Sequence, residues 1–158
     1  EVMSSARGQA NQQLYLARIL LAAWRRDLEA AVLPDSVLRH AYLPGLREHL
    51  LGAYGWFLLE ISGESDLSQT PPRSCADLTP LPAGKAEAGE IREFRQLEAD
   101  GWLAELVRPL AAAPVTAAHS RDNLAVSADA LPGLEQAANW TEKLDSLFAR
   151  MGDSLDEY

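Results

Sequence analysis

The chain has 158 residues, 47% of them hydrophobic, and a formal net charge of −9. That length can bury a core without covalent staples. Cys75 is the single cysteine, which excludes an intrachain disulfide and any multi-thiolate metal centre, and the negative charge opposes nucleic acid and anionic membrane surfaces.

The charge is unevenly spread. Residues 1–60 balance six arginines against six carboxylates, whereas residues 61–158 set eight basic residues against seventeen acidic ones. No stretch reaches the roughly 18 uncharged apolar residues of a membrane span. No basic segment followed by an apolar run opens the chain, so a cytoplasmic protein is the expectation. The length fits one domain over 1–158.

The first predicted helix covers about 5–32. Ala10, Leu14, Ala17, Leu21, Trp24, Leu28 and Ala31 recur at alternating steps of four and three, a continuous stripe at helical spacing. Leu20 and Val32 widen this core face. Ser4 or Ser5 can cap its start, and Pro34 stops it. Its back face holds Arg18, Arg25, Arg26 and Glu29.

The second helix is expected over 35–62, capped by Asp35 or Ser36. Leu43, Leu46, Leu50, Ala53, Tyr54, Phe57 and Ile61 form its core line. Pro44 falls inside that line and removes one backbone bond, so a kink is expected, with the stripe resuming in phase at Leu46. Residues 63–85 are a Pro-rich connection with Pro71, Pro72, Pro80 and Pro82. It must cross the outside of the bundle or stay partly disordered, with room for a short helical turn around Cys75–Leu78.

A third helix is predicted from 86 to 110, with Ile91, Phe94, Leu97, Trp102, Leu106 and Leu110 as its apolar positions. Gly101 weakens it by about 1 kcal/mol relative to Ala, and Pro109 ends it or tightens its last turn. Residues 111–131 are small and irregular, with a short extended piece conceivable at 123–127. The fourth helix covers 132–152, starting at Pro132, carrying Leu134, Ala138, Thr141, Leu144, Phe148, Met151 and Leu155 on one stripe and fraying into Gly152–Tyr158. Each helix carries one tryptophan: Trp24, Trp56, Trp102 and Trp140. The fold expected is all-α, an antiparallel four-helix bundle with a kinked second helix and two long irregular connections.

Few residues form a constellation that could carry chemistry. Di-iron bundles use Glu-x-x-His pairs, and none occurs. His40 and His49 lie nine residues apart on one helix and so face opposite ways. His119, Ser120 and Asp122 are neighbours in sequence, which does not make a catalytic triad. Cys75 has Arg73 nearby to lower its pKa a little, but a lone loop cysteine is more often incidental. The carboxylates Glu87, Glu90, Glu93, Glu98, Asp100 and Glu105 interleave with Arg92, Arg95 and Arg108, the pattern of a solvated outer face. Asn139-Trp140-Thr141 matches a glycosylation sequon by chance, mid-helix. No catalytic residue, cofactor or metal is expected.

Two surfaces stand out. Arg18, Arg25 and Arg26 are too few to overcome the acidic half for nucleic acid, and are expected to pair with the third or fourth helix or with a protein partner. On the second helix, Gly52, Gly55, Trp56 and Leu59 lie opposite the core line. Either that helix is central and touches neighbours on both sides, or these four form a partner or self-association surface.

The segment Ala10-Asn11-Gln12-Gln13-Leu14-Tyr15-Leu16-Ala17-Arg18 resembles the start of small uncharacterised helical proteins of Pseudomonas-like bacteria, and His49-Leu50-Leu51-Gly52-Ala53-Tyr54 resembles a later part of them. That family has no assigned activity. The resemblance implies a compact helical protein and carries over no functional residue. The functional expectation is a non-catalytic protein-interaction or structural module, with a protein partner or a homodimer. The alternative is a bundle that binds a small molecule, or acts on one, between its helices or under the 63–86 loop.

Overall fold

A computed structural model describes residues 5–64, 70–110 and 131–156, with side chains through 152. The chain runs through α1 (Ala6–Ala30), α2 (Asp35–Ser62), a 3-10 turn at Cys75–Asp77, α3 (Gly89–Asp100), α4 (Trp102–Val107) and α5 (Leu134–Asp156). Among the described residues there is no strand.

Helix α1 starts where Ser5 Oγ accepts the Gly8 backbone N–H at 2.9 Å. Its stripe from Ala10 to Trp24 is buried, and Leu28 packs against the core edge. The stripe ends earlier than the spacing predicts. Ala31 takes a left-handed conformation, φ 53°, and its N–H bonds back to the Leu28 carbonyl. This closes the helix and turns the chain off its axis. Val32, expected in the core, is therefore 82% exposed at the tip of the α1–α2 hairpin.

From His49 to Ile61, α2 has no exposed residue, whereas Ala41, Pro44, Gly45 and Glu48 give its first half a solvent face. Thirteen of its 28 residues are buried, on opposite sides of the helix, from Leu50 on the core line to Leu59 behind it. The helix continues across Pro44, whose ring is exposed, so the lost backbone bond faces the side with least to disrupt.

Contacts fix the helix directions. Trp24 stacks on Tyr42 with centroids 6.0 Å apart, and Gln13 reaches His49 one end further along, so α1 and α2 run oppositely. Arg18 pairs with Asp145 at 3.2 Å, while Arg7 lies against Gly152, so α5 also opposes α1. Phe57 of α2 stacks on Phe148 of α5 at 4.1 Å and meets Phe94 of α3 edge-on at 6.2 Å. Tyr54 also meets Phe94 edge-on, at 5.2 Å. One aromatic cluster therefore joins α2, α3 and α5. Trp24 and Trp140 are fully buried, whereas Trp56 and Trp102 are half-buried at the core margin.

The predicted third helix is in fact two. Gly101 is extended, with φ −103° and ψ −165°, and separates α3 from α4. A side chain there would bring a Cβ within 2.9 Å of the Leu97 Cα and Cδ2 atoms. The break re-aims the chain so that Leu103 and Leu106 are buried as well as Ile91 and Phe94. Helix α4 ends at Val107 because Arg108 precedes Pro109 and is extended, with ψ 133°.

The carbonyls exposed by that ending are met from α2. Arg47 donates through Nε to the Leu106 carbonyl at 3.1 Å and through Nη2 to those of Val107 and Arg108 at 3.3 and 2.9 Å. Burial pulls its pKa down, and the Glu48 carboxylate, 3.7 Å away, opposes that pull. One buried guanidinium thus caps α4 and ties it to α2. Arg47→Met should keep the volume and remove the donors. It is expected to lower stability by about 2–4 kcal/mol, read from urea unfolding, because three carbonyls lose their partner.

Candidate functional site

The Pro-rich connection is an ordered strap where it is described, over residues 70–88. Its path follows from a missing side chain. Gly55 is buried, and a Cβ there would fall inside van der Waals contact of the Pro72 carbonyl oxygen and 3.2 Å from the Pro71 Cβ. Glycine lets Pro71-Pro72 lie directly on α2. Arg73 then forks onto Glu48, with Nη1 and Nη2 at 2.9 and 3.0 Å from its two oxygens. That hydrogen bond holds the Glu48 carboxyl below its ordinary range, though the pair is half in solvent.

The short turn expected around Cys75–Leu78 is the 3-10 turn Cys75–Asp77. Its first N–H, from Cys75, donates to both carboxylate oxygens of Glu98 at 3.1 and 3.3 Å. The Cys75 Sγ is buried 3.5 Å from the Tyr54 hydroxyl oxygen. Arg73 does not activate this thiol, contrary to the expectation from sequence. Burial pushes its pKa up to about 12, and the Glu98 carboxylate adds to the rise. Burial likewise raises Tyr54, with Cys75 and Glu98 contributing. Glu98, read from sequence as part of a solvated face, is half-buried and holds the strap. Arg95 pairs not with it but with Glu87 at 2.7 Å.

Between the strap, the last turns of α2 and the start of α3 lies a cleft of about 960 Å³. Leu59, Ile61, Cys75, Leu78 and Ile91 give it apolar walls, with Arg95 and Glu87 at its rim. Pockets for small ligands are typically about 300–1,000 Å³.

The residues singled out from sequence divide three ways. Gly55 and Leu59 lie buried beneath the chain's own strap. At Gly52, a Cβ would sit 3.3 Å from Oε1 of Gln13, which also accepts the His49 Nδ1 hydrogen bond at 2.7 Å. Trp56 is half-buried at the core margin. Of the arginines, Arg18 is engaged with Asp145 of α5, while Arg25 and Arg26 stand exposed. His40 Nδ1 lies 2.8 Å from the Ser36 carbonyl one turn back. Among the described residues no three His, Cys, Asp or Glu side chains converge on a metal-sized space. His119, Ser120, Asp122 and the extended piece at 123–127 lie outside the described residues. Asn139 is exposed but Trp140 and Thr141 are buried in α5, with the Thr141 hydroxyl donating to the Ala137 carbonyl at 2.8 Å.

One surface escaped the sequence reading. The outer side of α1 bears Gln12, Tyr15, Ile19, Ala22 and Arg26, a second stripe at steps of three and four, opposite the buried one. Tyr15 is 63% and Ile19 47% exposed. The spacing was there to find, but the longer and more apolar first stripe masks it.

The chain belongs to a family of unknown function (DUF6586), whose sequence pattern matches residues 3–158. Comparison with curated proteins and with solved structures finds no match. Among the described residues no helix is long and apolar enough to cross a membrane.

Two measurements check this geometry. Gly55→Ala should lift the strap from α2, costing about 1–3 kcal/mol and raising amide exchange over 70–78 while α1 stays protected. The thiol gives a pH signature. Its folded pKa of about 12 lies above the ordinary value of 9.0, so the associated stability is complete below pH 9 and is lost as the pH rises towards 12. Tyr54 shifts in the same direction. Denaturant midpoints should therefore fall across that window, less steeply in Cys75→Ala, and native Cys75 should alkylate at pH 8 more than about 100-fold slower than in urea.

Proposed function

We propose that this chain is a non-catalytic protein-interaction module, a single antiparallel four-helix bundle that binds through the outer face of α1. The fourth member of that bundle is the broken pair α3–α4. Helix directions support this: α2 opposes α1, α3–α4 opposes α2 through the Phe94 and Arg47 contacts, and α5 opposes α1. The observation that carries the functional reading is the exposure of Tyr15 and Ile19 on one helical stripe. Tyr15 and Ile19 lie one turn apart on the same helical face, so the ring and the aliphatic side chain can act together as an anchor for a partner surface. The α2 back face is a weaker candidate, because Gly55 and Leu59 already receive the strap.

The test is a Tyr15→Ser/Ile19→Ser double variant compared with wild type by affinity capture and light scattering. The melting temperature should move by no more than about 2 °C, since both side chains point outward. Every stoichiometric complex, with itself or another protein, should weaken at least about tenfold. Undiminished complexes in the variant, or none in wild type, would overturn the reading.

A second reading rests on the cleft beneath the strap, whose apolar walls and charged rim suit a small amphipathic molecule. It requires a compound that raises the melting temperature of wild type and fails to do so in Leu78→Trp, where the indole fills the space. If the compound stabilises both proteins equally, the cleft is not its site.

A further inference from the structure

Resting on the second reading, in which the cleft beneath the strap is a binding site, we infer that its ligand is a monocarboxylic acid with an apolar body. The carboxylate is received by Arg95 and Lys85, and the body lies on the floor of the cleft. Leu59 and Ile61 come to that floor from the end of α2, Cys75 and Leu78 from the strap, and Ile91 from α3. None of these side chains is charged at neutral pH. The volume of about 960 Å³ is at the upper end for small-ligand sites. An aliphatic chain or a ring placed there gains by leaving water and asks for no hydrogen bond.

The charged side chains at the edge of the cleft select the head group. Its acids are already taken. The Asp77 carboxylate accepts the Arg73 backbone N–H at 3.1 Å, Glu87 accepts the Arg95 Nε–H at 2.7 Å, and Glu64 has a partner of its own. Arg73 is committed to Glu48 through both terminal nitrogens. Two cations keep open donors. Among the described residues, Arg95 gives only Nε to an acceptor, so both its terminal nitrogens stay open. None of the ion pairs of the described residues includes Lys85.

Position brings these two cations together. Lys85 stands two residues before Glu87, which Arg95 holds, so both lie at one end of the cleft. Ile91 is one turn before Arg95 on α3, which sets the guanidinium beside the apolar floor. Arg95 already answers one carboxylate. A second one needs a second cation, and Lys85 supplies it. The open edge of a guanidinium receives a carboxylate through two parallel hydrogen bonds, which neither a hydroxyl nor an ammonium can match. The net charge of −9 opposes an anion at a distance, so recognition falls to these contacts. Thr79 to Ala86 form the outer wall and are all exposed, with the strap fastened on either side by Cys75 on Glu98 and by Glu87 on Arg95. A stretch with so few buried contacts opens at low cost to admit the ligand.

The experiment uses the full chain at pH 7 and three probes that share an octyl chain and differ in the head: octanoate, 1-octanol and octyltrimethylammonium. Titration calorimetry should give octanoate a dissociation constant below about 1 mM, at least about tenfold tighter than either other probe. Lys85→Ala and Arg95→Gln should each weaken octanoate at least about fivefold and leave octanol within about twofold. Lys85→Glu, at an exposed position, serves alone should Arg95→Gln loosen the strap. Leu78→Trp should abolish octanoate binding.

Octanol or octyltrimethylammonium binding as tightly as octanoate, and lost in Leu78→Trp, would overturn the carboxylate head and leave the cleft reading standing. Octanoate binding that ignores the Lys85 and Arg95 variants yet is lost in Leu78→Trp would do the same. Failure of all three probes on wild type, or octanoate binding unchanged in Leu78→Trp, would refute the inference and the cleft reading together.

Discussion

The architecture depends on the second half of α2, from His49 to Ile61, having neighbours all round it. A helix whose buried residues cover opposite faces cannot lie at a surface, and each of its sides needs something to receive it. On one side α1 and α5 supply the Trp24, Leu144 and Phe148 packing, and on another α3 supplies Phe94. The last side has no helix. There the strap lies on Gly55, and Leu59 and Ile61 form the floor of the cleft. The Pro-rich segment acts as a substitute wall for a helix that would otherwise expose leucines.

Polar groups inside this arrangement hold elements together rather than expose reactive atoms. Arg47 closes the end of α4, Glu98 receives the first N–H of the 3-10 turn, and Gln13 links His49 across the space above Gly52. Cys75 shows the contrast most clearly. A thiol becomes a nucleophile where a neighbouring cation and some water stabilise its anion. Here burial and a carboxylate disfavour the anion, and the strap's arginine is committed to Glu48. On an exposed loop beside an unengaged arginine, the same thiol would ionise more readily.

Much of the helical content was legible in the chain, because apolar spacing at three and four is a local property. The α1 stripe, the core line of α2 and the inward face of α5 could all be read directly from residue types. Errors fell where one residue's backbone conformation decides the outcome. Ala31 turns left-handed and sends Val32 outward, and Gly101 opens into an extended residue and divides a helix that periodicity alone would continue. Neither event leaves a mark in hydrophobic spacing. The candidate surface is half legible: the arginines of α1 can be read from the sequence, whereas the Tyr15–Ile19–Ala22 stripe is overshadowed by its stronger neighbour.

By itself the sequence determined where helices form, that they are amphipathic, and that the acidic excess lies in the second half, because these follow from residue identity and short-range spacing. Tertiary structure decided which glycine admits a backbone, which arginine caps a distant helix end, and which apolar stripe is left in water. Those outcomes depend on contacts between residues tens of positions apart, such as Gly55 with Pro72 and Arg47 with Arg108. No local pattern encodes such a pairing, since it exists only once both elements are packed against the same core.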